Sequence, residues 1–206
     1  MEKEVLERAF DARFAPEIKE KLRSARVAIA GLGGLGSNMA VMLARTGVGH
    51  MLLIDFDVVD VTNLNRQAYI IPQVGKPKTE ALKEILDQIN PYLSYEFRTV
   101  KVTPENVKEL FTGYPIVCEA FDKADQKAML VQELLTQFSD TIVVSGNGMA
   151  GFGDSNTITT RKLMRRLYVC GDQSTDIGQG TGLMSPRVTI CAAHQANKVV
   201  QLILES

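Results

Sequence analysis

The stretch Gly31-Leu-Gly-Gly-Leu-Gly36 constrains this chain more than any other. It stands directly between an apolar run, Val27-Ala-Ile-Ala30, and a helix-patterned segment from Ser37 to Thr46 that Gly47 and Gly49 stop. Glycines there let a strand turn sharply into a helix and bring backbone close to phosphate. The free N–H groups and positive end of the helix then face an anion. A second apolar run, Met51-Leu-Leu-Ile54, ends in Asp55, where an acid would hold a ribose hydroxyl. This arrangement predicts a nucleotide site and is neutral on which nucleotide. No GxxxxGK[ST] loop is present, so the chain is not an ordinary P-loop ATPase.

The rest of the sequence keeps the same alternation. Lys78 to Asn90 carries apolar residues at 81, 82, 85, 86 and 89, a helix ended by Pro91. Tyr95, Phe97 and Thr99 alternate with polar residues as a strand. A short helix follows Pro104, then a strand over 116–120, a helix over 123–138 and a strand over 141–145. Beyond 146 come a glycine-rich loop to 153, two strands over 157–160 and 166–170, a second loop over 171–182, and a last helix from Pro186 to Leu204. Upstream, Leu6, Phe10, Phe14, Ile18 and Leu22 form a stripe that Pro16 breaks into two short helices. The expected fold is α/β, a Rossmann-like three-layer fold. Its sheet is mainly parallel, with antiparallel strands in the C-terminal part and a short helical N-terminal arm. We expect one domain over 1–206: an arm at 1–25, a core at 26–146, and loops, strands and a final helix at 147–206.

Composition narrows the function. Of 206 residues, 45% are hydrophobic and 23% charged, and the net charge of −1 leaves no broad positive field for nucleic acid. The exception is a local cluster, Arg161-Lys162 with Arg165-Arg166, read as a solvated face. No apolar run approaches the ~20 residues that span a bilayer, and the charged N-terminus does not read as a signal peptide. Three dispersed cysteines, Cys118, Cys170 and Cys191, suit a reducing cytoplasm, and no CxxC pair is present to build a zinc site. We expect no zinc.

The residues after Asp55 bear on the choice of nucleotide. They read Asp55-Phe-Asp57-Val-Val-Asp-Val-Thr-Asn63-Leu-Asn-Arg66-Gln67, then Val74-Gly-Lys-Pro77-Lys78. A nicotinamide enzyme needs few charges here, whereas a triphosphate needs cations. Arg66 can fork onto phosphate oxygens, and Lys78 offers a point charge at a helix start. An NAD-dependent oxidoreductase remains the alternative.

Together these strings resemble the ThiF/MoeB family of adenylyltransferases related to ubiquitin-activating enzymes, and most of all its short ThiF proteins. The resemblance covers nearly the whole chain. It implies that Gly31, Gly33, Gly34 and Gly36 hold phosphates and that Asp55 binds the ribose. Asp57, Asn63, Arg66 and Gln67 would contact the nucleotide, and Arg66 and Lys78 the triphosphate. It implies an aspartate that handles Mg²⁺, here Asp122. The usual motif is close to Asp-Cys-Thr-Asp-Asn, and Glu119 and Ala120 depart from it. Asp122 could also cap the following helix, and the two roles are compatible. The implied reaction uses ATP to adenylate the C-terminal glycine of a ubiquitin-like sulfur carrier protein with a Gly-Gly C-terminus, such as ThiS in thiamine (thiazole) biosynthesis. A MoaD-like carrier or a tRNA is the alternative within the family. A sulfurtransferase is a possible further partner.

Family members of this kind form a symmetric dimer in which an arginine near the N-terminus reaches the partner's phosphates. Arg13 is the preferred candidate, and Arg8 stays open. A carboxylate is already ionised at pH 7, so no general base is needed, and His50 and His194 read as structural. Cys170, before the 171–182 loop, is the one candidate for a reactive thiol; its other reading is a packed strand residue.

Overall fold

The computed structural model describes residues 2–176, 178 and 180–205. Positions 177 and 179 of the expected 171–182 loop lie outside the described residues. Two helices, α1 (Lys3–Asp11) and α2 (Pro16–Ser24), precede β1 (Arg26–Ala30). Then come α3 (Gly34–Thr46), β2 (His50–Asp55), α4 (Lys78–Ile89), β3 (Ser94–Thr99), α5 (Val107–Phe111), β4 (Ile116–Glu119) and α6 (Ala124–Gln137). The chain continues through β5 (Ile142–Gly146), β6 (Thr159–Met164), β7 (Leu167–Gly171) and α7 (Ser185–Glu205). Single 3₁₀ turns lie at Val61–Asn65, Ile71–Gln73 and Ser155–Thr157.

The strands form one seven-stranded sheet in the order β3-β2-β1-β4-β5-β7-β6. Every pairing is parallel except β6 with β7, so the antiparallel part is one edge strand, and β7 runs parallel to β5. The central parallel strands β1, β2, β4 and β5 are covered on both faces, which explains their apolar runs, whereas β3 at the edge is half-exposed and alternates with polar residues. In β1 the pleat sends Val27 and Ile29 to one face and Ala28 and Ala30 to the other. The first face packs against Met39 and Leu43 of α3, Leu82 and Leu86 of α4, and Cys191 and Val199 of α7. The second packs against Val107 and Phe111 of α5 and Leu130 and Leu134 of α6. This is the expected three-layer α/β fold. The order reverses beside β1, whose neighbours are β2 and β4, and such a reversal opens a crevice at the strands' C-terminal ends.

Two expected boundaries move for local reasons. The helix expected from Ser37 begins at Gly34, because the last glycines of the loop form its first turn; Ser37 Oγ donates to Gly33 O at 2.7 Å. The strand expected over 157–160 begins at Thr159, because Asp154 accepts from Asn156 N at 2.9 Å and winds 155–157 into a 3₁₀ turn. Pro16 is the first residue of α2 and separates the two arm helices as expected.

Candidate nucleotide-binding site

The glycine loop leaves β1 at the centre of the crevice. Gly31 has φ +92°, and a Cβ there would meet Ala120 O at 2.8 Å, so the loop presses on the chain leaving β4. A Cβ on Gly36 would sit 1.8 Å from Gly31 O, which makes Gly36 a requirement of the turn itself. Gly33 differs. Its nearest neighbour would be Gln67 Nε2 at 3.8 Å, so the space over it is open for a ligand. At Gly34 a Cβ would meet Val188 of α7 at 2.9 Å, so α7 bears on the loop from the other side.

Asp55 ends β2 and is almost fully buried (8% exposed). One carboxylate oxygen accepts from Leu32 N at 2.6 Å, and the other accepts from Asp57 N at 2.8 Å. The acid therefore ties the glycine loop to the segment after β2. Lys78, the first residue of α4, is also buried, and its Nζ lies 2.9 Å from Asp57 Oδ2 and 3.8 Å from Asp55 Oδ2. Tyr69 lies beneath, donating to Leu32 O at 2.8 Å. Burial first, then the charges of Asp55 and Asp57, push its phenol well above the ordinary range, so it stays a neutral donor.

Asn63 is occupied by local structure. Its Oδ1 accepts from Asp60 N at 3.0 Å and closes a capping box on the 61–65 turn, which Thr62 N donating to Asp60 completes. Arg66 follows that turn, half-buried, and its guanidinium donates to Asn65 Oδ1 at 2.8 Å and Thr62 O at 3.2 Å. Asn38 of α3 fixes the turn against the loop by donating to Gly34 O at 2.7 Å and Arg66 O at 2.9 Å. Neither Asn38 nor Tyr69 had a sequence signal beyond its position in these segments. Gln67 Oε1 is buried with no protein partner beside the open space at Gly33, an acceptor still to be satisfied.

Asp122 is exposed just past the end of β4 and makes no hydrogen bond or ion pair with the described residues. It does not cap α6, whose N-cap position is Lys123, without a side-chain cap bond. A free carboxylate beside a phosphate loop has the hard oxygen donors that Mg²⁺ takes together with phosphate oxygens. Among the described residues no group of three or more His, Cys, Asp or Glu is placed to hold a metal by itself. Glu119 is instead fully buried and committed, to Lys127, Ser145 and Phe121 N.

The expected loops after β5 and β7 come together beside the crevice. Ala150 N donates to Thr175 Oγ1 at 3.1 Å and Gly151 N to Gly182 O at 2.8 Å, while Asn65 reaches Leu183 O at 3.1 Å. Their organiser, unsignalled in the sequence, is buried Arg187 in the first turn of α7. It donates to Gly153 O at 2.9 Å, Asp154 O at 2.8 Å and Thr157 Oγ1 at 3.0 Å, and pairs with Asp172.

Two sequence candidates, Arg8 and Arg13, lie away from the crevice. The arm packs at the N-terminal ends of the strands, where Leu6, Phe10, Phe14, Leu22, His50 and Tyr92 help to line a cavity of about 230 Å³. Arg8 and Arg13 are thus separated from their own glycine loop by α3, 13 residues and about 20 Å long. Cys170 is buried, and burial pushes its thiol up to about 11, so it is a packed strand residue rather than an available nucleophile. Cys191 is likewise buried and pushed up to about 12. His194 Nδ1 lies 3.0 Å from Thr160 Oγ1, a structural contact. No described helix is long and apolar enough to cross a membrane.

The sequence is 36% identical over 195 residues to the molybdopterin-synthase adenylyltransferase of Haemophilus influenzae, covering 91% of this chain and 78% of that protein. It is 35% identical over 137 residues to the tRNA threonylcarbamoyladenosine dehydratase of the same organism, covering 66% of this chain but only 52% of that protein. The fold matches the Escherichia coli tRNA N6-threonylcarbamoyladenosine dehydratase solved with ATP, at a TM-score of 0.86 and 24% identity over 96% of this chain and 93% of that one. The same dehydratase has also been solved with AMP. With the ThiF family pattern matching residues 6–206, the chain belongs to the ThiF family.

Proposed function

We propose that this chain is an ATP-dependent adenylyltransferase that activates the C-terminal glycine carboxylate of a ubiquitin-like sulfur carrier protein, of the kind ThiS represents. The observation that carries the reading is the convergence of Gly31–Gly36, Asp55 with Lys78, and Asp122, which makes no hydrogen bond or ion pair with the described residues, at the C-terminal ends of β1, β2 and β4. The ATP and AMP complexes of the structural neighbour support ATP as the nucleotide.

In this reading the backbone N–H groups at the start of α3 hold phosphate, and the open space at Gly33 lets the nucleotide approach. Gln67 supplies a polar contact, and Asp55 accepts from the ribose. Arg66 turns from Thr62 O and Asn65 to the phosphates, and Lys78 adds a buried positive charge. The carrier's carboxylate oxygen attacks the α-phosphorus, a C–O–P bond forms, the bond to the β-phosphate oxygen breaks, and pyrophosphate leaves with the electron pair. No proton moves, so the residues act by positioning and charge neutralisation. Mg²⁺ held by Asp122 would neutralise charge on the leaving pyrophosphate. The place where the loops after β5 and β7 meet, at Ala150 with Thr175 and Gly151 with Gly182, is where the carrier tail would enter.

The N-terminal arm would act across a homodimer, Arg13 serving the partner's phosphates; its placement far from its own crevice favours action in trans over action in cis. Because burial pushes the thiol of Cys170 up, a separate sulfurtransferase is the better source of sulfur after adenylation.

A second reading, adenylation of a tRNA-borne carboxylate, is favoured by the similarity to the dehydratases. ATP–pyrophosphate exchange separates the two. A Gly-Gly-terminated carrier should stimulate exchange and tRNA should not; stimulation by tRNA alone would reverse the choice.

A further inference from the structure

The departure at Glu119 has a structural counterpart eight residues on. Lys127 of α6 places its Nζ 2.9 Å from Glu119 Oε2 and 3.0 Å from Oε1, and donates to Phe121 O at 3.0 Å. Glu119 in turn accepts from Phe121 N at 2.7 Å and from Ser145 Oγ of β5 at 2.5 Å. Gln195 of α7 donates to Glu119 O at 3.3 Å. Both polar ends of Phe121, the residue before Asp122, are thus held by one ion pair whose carboxylate is fully buried and whose lysine is largely so. The same turn is the wall against which Gly31 packs: a Cβ at Gly31 would meet Ala120 O at 2.8 Å and the Phe121 ring at 3.0 Å.

The geometry points to Lys127 as a positioning residue that acts through Glu119 to hold Asp122 at its place beside the phosphate loop. Asp122 makes no hydrogen bond or ion pair with the described residues to fix it, so its location depends on the backbone of Phe121. A buried charge pair is a poor source of net stability, whereas a fully hydrogen-bonded one fixes a unique geometry. Groups that hold a metal-binding carboxylate in place typically change metal affinity by about 10–100-fold when lost. Lys127 touches no reacting atom in this scheme. The inference rests on the proposed role of Asp122 in binding Mg²⁺ with ATP.

The test compares wild type, Asp122→Ala and the charge-neutral double variant Lys127→Met with Glu119→Gln. Binding of a non-hydrolysable ATP analogue is measured by calorimetry with and without Mg²⁺, in the absence of any carrier. The tightening produced by Mg²⁺ should vanish in Asp122→Ala and fall about 10-fold in the double variant, while metal-free binding stays at the wild-type level. In exchange assays the double variant should need about 10-fold more Mg²⁺. A purely structural pair would lower the melting temperature and leave the Mg²⁺ dependence untouched. A folded double variant with wild-type Mg²⁺ dependence, beside an affected Asp122→Ala, overturns the role of Lys127 alone. An unaffected Asp122→Ala overturns the reading of Asp122, and the inference with it. If the double variant does not fold, Ser145→Ala decides, because it loosens Glu119 without stranding a charge: a raised Mg²⁺ requirement supports the positioning role, and an unchanged one overturns it.

Discussion

Lys78 Nζ lies 2.9 Å from Asp57 Oδ2, in a place where only 8% of the lysine side chain reaches solvent while half of the aspartate's does. The ammonium is therefore held from one side by its own protein. Its charge, shared with Asp55 at 3.8 Å, is part of the folded structure before any nucleotide arrives. Arg66, by contrast, is half-buried and spends its guanidinium on Thr62 O and Asn65.

The two cations should respond differently to removal. Arg66→Ala should melt within about 0.5 kcal/mol of wild type, as surface changes do, and lose carrier-dependent exchange. Lys78→Ala should lose exchange and also about 1–3 kcal/mol of stability, because Asp55 is left buried beside a missing charge. Denaturant unfolding of both variants checks this. Equal stabilities would contradict the buried role of Lys78.

Gly33 and Gly36 offer a cleaner separation of ligand from fold. Gly36→Ala would force a Cβ to 1.8 Å from Gly31 O and should unfold the loop. Gly33→Ala meets nothing closer than 3.8 Å, although its φ −78°, ψ −147° lies outside the regions alanine favours. It should stay folded, at a backbone cost of about 1–3 kcal/mol, and weaken ATP binding by at least ~10-fold, the cost of about 1.4 kcal/mol of lost approach. Unaltered ATP affinity in Gly33→Ala would place the phosphates elsewhere.

Much of this site was legible because its logic is local. The glycine loop, the flanking apolar runs and Asp55 follow from strand, turn and helix chemistry within 25 residues. The parts that were not legible depend on partners far along the chain. Arg187 belongs to no motif in the sequence, yet it is buried by contacts with residues 153, 154, 157 and 172. Glu119 reads as a departure from a motif until Lys127 and Ser145 are folded around it. The strand expected over 157–160 starts two residues later, at Thr159, because the Asp154 turn takes up 155–157.

Arg187 and Asp172 should set the acid stability of the loops beside the crevice. Burial pushes the Asp172 carboxyl up, but the N–H groups of Thr175 and Ser174, the Thr175 hydroxyl and Arg187 outweigh it and hold it well below the ordinary range. The unfolded chain therefore binds this proton more readily than the folded one. The stabilisation is complete above the ordinary aspartate value near ~4 and is lost as pH falls from there toward the depressed value. The melting temperature of wild type should exceed that of Asp172→Asn at pH 7 and converge with it in strong acid. Arg187→Met, which strands the buried carboxylate, should cost about 3–5 kcal/mol. A wild-type advantage that grows on acidification would contradict the pairing.

The arm makes a prediction that does not depend on the identity of the carrier. Arg13→Ala and Asp122→Ala should each be inactive, the latter by at least ~100-fold in exchange, as expected for loss of a key electrostatic stabiliser. Mixed under conditions that exchange subunits, they should regain part of the activity, since one site in each mixed dimer has both residues. Full activity of Arg13→Ala alone would remove that residue and leave Arg8 to be tested. No rescue despite proven exchange would rule out action in trans.

The central claim is that a carrier's terminal carboxylate is the nucleophile. Intact-mass analysis of a Gly-Gly-terminated carrier after incubation with this protein and MgATP tests it most directly. The account predicts a carrier heavier by one AMP, present with wild type, absent with Asp122→Ala, and absent when the terminal glycine is deleted. A carrier of unchanged mass across a panel of ubiquitin-like proteins, with AMP appearing instead on tRNA, would contradict it.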